Sequence, residues 1–590
     1  MPRPRPPKAA DDLWFRLATR VRAGRYWLRE RGREAWRWLR HAAEGAAYWW
    51  SKRSSGTRIQ IVAVAGIVAL YLVVKFLPVP GIPCEVSAAK ECAPSNDTIA
   101  YVPRDAALYA HVTVNSSSHQ WELARDLRGT LPNFVALLQS DTTALAAPGG
   151  HPVDLSQVLP WAKDDLALLG VPGPKRTNSE AYIVGVGDQA RASRFLAGLV
   201  PGGKKKHATV GGVGLTVYAD GFATARPGDQ LLFGNVAAVR AGLQAKAGAS
   251  PRLEDGPQGD ALEALPDVRL AEIYLSRAGV QRFLVGRQGT ATQLNTFVDY
   301  GATQGMAASL RIHDDGIEVN LASELDPKLV KASPTVFAAL PRFDPGLADE
   351  ASGDALGYVG VGDLGPALTR ALATAGRGAQ GLVGSLQALG RRLKQQAGVN
   401  PLQDLLPALG GQAALVAEPT GGVPYASLIV EGVDEKKATA ALASLQRPLL
   451  RSVATRGGPQ VPSFQSTDVD GVTVHSVRIS PSVNLSYAVF DGKLVVSTQP
   501  QGVAQVRSSG DSLAGTSGWE DATSHLPDHV SALVFLNLKE VLGLAQRAGL
   551  AENPLYASIS EDITHVRSLG LAVTGSDEEL RSKLFLAIHD

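Results

Sequence analysis

VLPWAKDDLALLGVP at 158–172 and LLPALGGQAALVAEP at 405–419 share one layout: a Leu-Pro lead, a polar turn, then a run of alternating apolar residues. Working outward, SEAYIVGVGDQARASRFLAGL (179–199) and PYASLIVEGVDEKKATAALASL (424–445) each read as a strand, a short turn and a helix. VGGVGLTVYA (210–219) then matches VDGVTVHSVR (469–478), and QLLFGNVAAVRAGL (230–243) matches KLVVSTQPQGVAQV (493–506). ALPDVRLAEIYLSRAGVQRFL (264–284) follows against HLPDHVSALVFLNLKEVLGLA (525–545), and MAASLRIHDDGIEVNLA (306–322) against LGLAVTGSDEELRSKLFLA (569–587). Six correspondences in unchanged order predict a tandem duplication.

Each predicted half opens alike. Ala100-Tyr101-Val102-Pro103-Arg104 leads into the strand LYAHVTVN and a helix near 119–128. Ala339-Leu340-Pro341-Arg342 leads into LGYVGVGD and a helix near 366–374. Leu108, Ala110, Val112 and Val114 alternate with their neighbours at period two, which suits half-buried antiparallel strands. The closing pairs at 306–322 and 569–587 read as β-hairpins. The expected fold class is α+β: a tandem duplication of a mostly antiparallel sheet with helices packed on one face, behind one N-terminal transmembrane helix.

That helix is read at IQIVAVAGIVALYLVVKFLPV, 59–79, an apolar run long enough to cross a bilayer. The chain up to Arg58 holds 15 Lys and Arg against 5 Asp and Glu, whereas the remainder is mildly acidic. Basic flanks stay on the cytoplasmic side, so the expectation is a single-pass anchor in the cytoplasmic membrane, N-terminus inside and bulk of the chain extracytoplasmic. A 58-residue n-region argues against a cleaved signal peptide, although a small-residue site stands at Val86-Ser87-Ala88. The expected organisation is an arm at 1–57, the anchor at 58–79, a linker at 80–97, a first repeat at 98–330 and a second at 331–590.

The arm carries Trp14, Trp27, Trp36, Trp38, Trp49 and Trp50 interleaved with Arg29, Arg33, Arg37, Arg40 and other arginines. Trp14, Leu17, Val21, Leu28, Ala35, Leu39, Ala42 and Ala46 trace one helical stripe. This predicts a basic amphipathic segment against anionic inner-leaflet lipid, with Gly24 and Gly32 dividing it. Fixing topology alone, or a cytoplasmic protein partner, are the competing readings. The only cysteines, Cys84 and Cys92, stand eight apart on the outer side, where an oxidising compartment permits a loop disulfide. The acidic outer body lacks the clustered basic face that nucleic acid requires.

The residues at 98–590 resemble the bacterial family called domain of unknown function 3352, on the strength of IAYVPRDAALYAHVTV and the Leu-Pro-led strands. The resemblance implies a fold and no catalytic residues. No catalytic set is read from the residues either. Gly360-Val361-Gly362-Asp363-Leu364-Gly365 fits GxGxxG and Gly185-Val186-Gly187-Asp188-Gln189-Ala190 its GxGxxA variant, but neither has the acidic residue about 20 positions on that a dinucleotide site needs. Asp188, Asp363 and Asp434 read instead as helix N-caps.

Gly510-Asp511-Ser512-Leu513-Ala514 is the nearest approach to a nucleophile elbow and lies in a predicted loop. His525 and His529 read as solvated turn residues and Lys204-Lys205-Lys206 as a loop tip; Asp164-Asp165, Asp314-Asp315 and Asp577-Glu578-Glu579 read as solvated turn acids, with a loose calcium site as the competing reading. Neither a metal nor a cofactor is expected. The expected role is a non-enzymatic interaction or scaffold protein; the alternative is a binder of a small apolar or lipid ligand, and an enzyme with an unrecognised site ranks below both.

Overall fold

LYAHVT forms β1 (Leu108–Thr113), entered from a 3-10 turn at Asp97–Tyr101 that Asn96 caps by accepting from the Ile99 amide. The structure, a computed structural model, describes residues 93–133, 151–173, 178–200, 205–256, 259–282, 301–332, 340–365, 395, 409–420, 424–454, 463–469, 471–480, 483–507, 510–547, 549 and 554–589. The arm with its Trp and Arg residues, the anchor 59–79, Cys84 and Cys92, and the helix predicted near 366–374 lie outside the described residues.

After β1 come β2 (Ala162–Pro172), β3 (Asn178–Val186), β4 (Lys205–Val210), β5 (Val213–Tyr218), β6 (Phe222–Ala225), β7 (Gln230–Asn235), β8 (Ala271–Ser276), β9 (Thr303–His313) and β10 (Gly316–Leu325). They pair antiparallel in the order β4-β5-β6-β7-β3-β2-β1-β8-β9-β10. The later strands are β11 (Gly357–Val361), β12 (Ala413–Glu418), β13 (Tyr425–Glu431), β14 (Gln465–Val469), β15 (Val472–Ser480), β16 (Val483–Phe490), β17 (Lys493–Ser497), β18 (Ala532–Leu536), β19 (Val566–Gly575) and β20 (Glu579–Ile588). Their order is β14-β15-β16-β17-β13-β12-β11-β18-β19-β20. The two series meet where β10 pairs with β20, from Gly316 opposite Ala587 to Glu324 opposite Glu579.

The expected fold class is corrected on two points, and the predicted anchor at 59–79 lies outside the described residues. The described strands make one continuous antiparallel sheet of 20 strands rather than a tandem pair of sheet units, because β10 and β20 bond along nine residue pairs. Helices pack on both faces of that sheet, not one. Among the described residues no helix is long and apolar enough to cross a membrane.

Strand β3 shows why both faces are covered. Ala181 and Ile183 join one core with Val239 and Leu243 of the helix Val236–Lys246. Tyr182 and Val184 point the other way, into a core with Ala192, Phe195 and Leu196 of the helix Gln189–Leu199. A strand buried on both faces reads as a continuous apolar run, and AYIVGV is one. Each fully buried Val, Leu or Ile among these contributes about 1.5–3 kcal/mol. The helix His119–Thr130 forms as expected; Ser118 caps it, and its Trp121, Leu123, Ala124 and Leu127 pack toward Ile312 and Ile317 of β9 and β10.

The outermost strands carry the unpaired edges. β4 and β14 are exposed along nearly their whole length. Lys205 and Lys206 are therefore the start of an edge strand, not a loop tip, and charge on an edge discourages pairing with another chain. Lys205 also lies over the Tyr218 ring, 5.3 Å from its centre.

Candidate functional site

The junction of β10 and β20 places a row of polar side chains on one face of the sheet, since cross-strand partners point the same way. Along this row Glu318 faces Phe585, Asn320 faces Lys583, Ala322 faces Arg581 and Glu324 faces Glu579. Strand β19 extends it with Ala572 beside Lys583 and Thr574 beside Arg581. Two proline turns stand over the row: Ala264-Leu265-Pro266 ahead of β8, and Leu526-Pro527 ahead of β18. Between them lies an open cleft of about 680 Å³, with Arg342, His525 and His529 at its margin.

The floor is held by a bonded network. Lys583 Nζ lies 3.1 Å from Glu318 Oε2, and Asn320 Nδ2 donates to Glu318 Oε1 at 2.7 Å. His313 Nε2 stands 3.2 Å from Glu318 Oε2. Burial of Glu318 would raise its pKa; the bonds from His313 and Asn320 and the Lys583 charge outweigh it and hold the carboxyl at about 2. Arg581 pairs with Glu579 at 2.8 Å, in the open, where such a pair contributes little. Glu324 is different: burial first, then the Asp260 charge, push its carboxyl up to about 7 against a helping Ala261 amide. Arg342 is exposed and has no ion pair among the described residues.

At one end of the cleft, His313 closes β9, Asp315 sits in the turn before β10, and His525 follows the helix Ser517–Thr523. His525 Nε2 is 3.0 Å from Asp315 Oδ2, across 210 residues of chain. The His525 ring stacks on Phe585 at 4.1 Å, and the His313 ring meets the same phenyl edge-on at 5.7 Å. His529 bonds Asp344 and stays exposed.

A second polar cluster is buried in β1, β2 and β8. His111 Nε2 lies 2.8 Å from Asp165 Oδ1, and its Nδ1 3.9 Å from Glu272 Oε1. Arg269 pairs with Glu272, while Tyr109 donates to Asn96 Oδ1 at 2.8 Å and bonds Thr98 at 2.9 Å. Burial, above all, holds the Tyr109 hydroxyl well above its usual pKa. His111, Asp165 and Glu272 are all buried, so the cluster reads as structure rather than as a binding surface.

Several sequence expectations change accordingly. Asp165 is fully buried and bonded, not a solvated turn acid; its neighbour Asp164 takes the strain of the bend at φ +62°. His525 is half-buried and bonded, whereas His529 keeps the exposure expected of it. Glu579 reaches the cleft floor from what was read only as a hairpin tip. Asp188 caps its helix by accepting from Ala190 and Arg191, and Asp434 accepts from Lys437 in the same role. Asp363 accepts from the Gly365 amide. Both glycine motifs follow antiparallel strands, so neither has the parallel unit a dinucleotide site needs. Ser512 precedes a 3-10 turn in a loop.

The model of the family described as "Protein of unknown function (DUF3352)" matches residues 59–588, so the chain belongs to that family, as its resemblance implied. No curated protein matches. Among solved structures, crystal form I of TP0453 aligns at 11% identity over 42% of this chain and 88% of that one, with a TM-score of 0.23. Crystal form III aligns at 12% identity over 42% and 89%, also with a TM-score of 0.23. At that score the likeness carries no argument about fold or function.

Proposed function

We propose that this member of the DUF3352 family is a membrane-anchored, extracytoplasmic binding protein that takes an anionic amphiphile in its central cleft. One observation carries this reading: cations and apolar walls converge on the same open cleft. Arg342, Arg581 and Lys583 would meet a carboxylate or phosphate headgroup, and Leu265, Pro266, Leu526 and Pro527 would meet its apolar portion. Charge-assisted bonds supply orientation, and apolar burial supplies affinity. A volume near 680 Å³ suits a small molecule or one end of a lipid chain. The role is taken as non-enzymatic in this reading; among the described residues the His525–Asp315 pair is joined by a 3.0 Å bond with no hydroxyl or thiol bonded to it. The anchor at 59–79 and the Trp/Arg arm belong to the same proposal, with the bulk of the chain extracytoplasmic and the arm against anionic inner-leaflet lipid.

A scaffold role is the second reading. It rests on Val359 and Leu415, cross-strand neighbours that are 39% and 49% exposed on the sheet.

Native mass spectrometry of the full chain, solubilised from its own membrane, separates the two readings. The ligand reading expects a bound acidic lipid or fatty acid whose occupancy falls about tenfold or more in Arg342→Ser/Arg581→Ser, as loss of charge-assisted bonds implies. A chain that carries no lipid but brings down a stoichiometric protein partner overturns it.

A further inference from the structure

We infer that His313, Asp315 and His525 form a site for a divalent transition-metal ion of the zinc class, at the end of the cleft. One ligand atom from each of the three lies within 4.8 Å of the others. Two imidazoles and one carboxylate suit zinc, cobalt or nickel; calcium and magnesium prefer an all-oxygen set. Three protein ligands leave a fourth position for water or an anion, as in open zinc sites.

The three side chains are held in place by more than their own contact. Phe585 carries both rings, and the two imidazole centres stand 4.4 Å apart. Gly316, just after Asp315, permits this approach, because a Cβ there would meet Leu586 O at 2.3 Å and the Phe585 ring at 2.7 Å. The Ile588 amide donates to Asp315 O at 2.9 Å and pins the turn to β20. Behind His313, Glu318 Oε2 takes one ring nitrogen and leaves the other for an ion. That is the carboxylate–histidine support found behind metal-bound imidazoles. Glu318 is itself 2% exposed and fixed by Asn320 and Lys583, so its orientation of His313 is rigid. A simple Asp315–His525 hydrogen bond would explain two of these residues; it gives no reason for a second imidazole, backed by a buried carboxylate, to share the spot.

The test needs no lipid, so it stands or falls apart from the ligand proposal. Full-length chain in detergent is titrated with Co²⁺, followed by visible absorption and by metal analysis. The expected result is one site-bound Co²⁺ per chain with a tetrahedral d–d band that Zn²⁺ displaces. The band should disappear in His313→Ala and His525→Ala, and affinity should fall about 10- to 100-fold in Glu318→Gln. His525→Cys should retain binding and add a thiolate-to-cobalt charge-transfer band, which places the ligand even if the alanine variants fold poorly. Absence of the band in the unmodified chain, or Co²⁺ spectra unchanged in His525→Cys, overturns the site.

Discussion

Strands β8, β1 and β2 are joined in the same order as β18, β11 and β12, yet the two trios fill their interiors by opposite means. In the first, His111 stands opposite Glu272 and Ala167; in the second, Gly360 stands opposite Leu533 and Ala414. Tyr109 faces Tyr274 in one trio and Tyr358 faces Phe535 in the other, all four rings fully buried. Tyr109 lies flat beside His111 and sends its hydroxyl to Asn96 and Thr98. Tyr358 instead lies over Gly360, where a Cβ would sit 2.8 Å from its ring, and packs edge-on against Trp519 at 5.3 Å. An imidazole between two carboxylates and an aromatic over a glycine thus occupy equivalent places in the sheet. The lesson is that a buried charge network is one solution to packing here, not a requirement of the strand arrangement. Such networks are costly to break and cheap to replace as a whole.

The largest expected effect breaks the network at its centre. His111→Ala leaves the fully buried Asp165, and Glu272 beside it, without their imidazole, and should destabilise the chain by about 3–5 kcal/mol in urea denaturation. The triple change His111→Gly/Asp165→Gln/Glu272→Leu imports the other trio's solution and should restore most of that loss. A triple variant no more stable than His111→Ala would show that the two interiors are not interchangeable.

A middle-sized effect concerns a half-buried acid with no cationic partner among the described residues. Glu324 has its pKa raised from 4.5 to about 7 by burial and by Asp260. A carboxyl raised in the folded state holds its proton more tightly there than when unfolded. Its contribution is therefore best below pH 4.5 and is lost as pH rises to about 7. Glu324→Gln should gain about 1–2 kcal/mol over the unmodified chain at pH 8 and nothing near pH 4, after discounting for partial exposure. Thermal melts across that range check it, and a gap independent of pH would remove Glu324 as the cause.

The smallest effect separates the two tyrosines. Tyr109→Phe should cost about 1 kcal/mol because it forfeits the bonds to Asn96 and Thr98. The Tyr358 hydroxyl has no hydrogen-bond partner among the described residues, so Tyr358→Phe should leave the melting temperature unchanged or raise it slightly. Equal losses in both would erase the distinction drawn between the trios.

Much of the local structure was legible. Period-two alternation marked β1, the turn residues marked the hairpins β9–β10 and β19–β20, and Asp188 and Asp434 announced their helices. The continuous apolar run in β3 carried a signal for burial on both faces, which a reading by alternation alone passed over. Asp165 looked solvated because it sits in an acidic pair whose repeat counterpart is Gly411-Gln412; it is buried where β2 pairs with β1 and bonds His111, 54 residues away. His313 and Asp315 carry no recognisable spacing with His525, since 210 residues separate Asp315 from it and no motif spans that distance.

By itself, then, the amino-acid sequence determined strand and helix periodicity, capped ends, turn positions and family membership, because each of these depends on residues a few positions apart. Only the tertiary structure decided that β10 would pair with β20, merging the strands into one sheet and bringing Lys583, Arg581, His525 and the two proline turns around one cleft. That pairing depends on register between segments about 260 residues apart in the chain. Its energy comes from contacts made only after the chain has closed that loop, so local pattern cannot encode it.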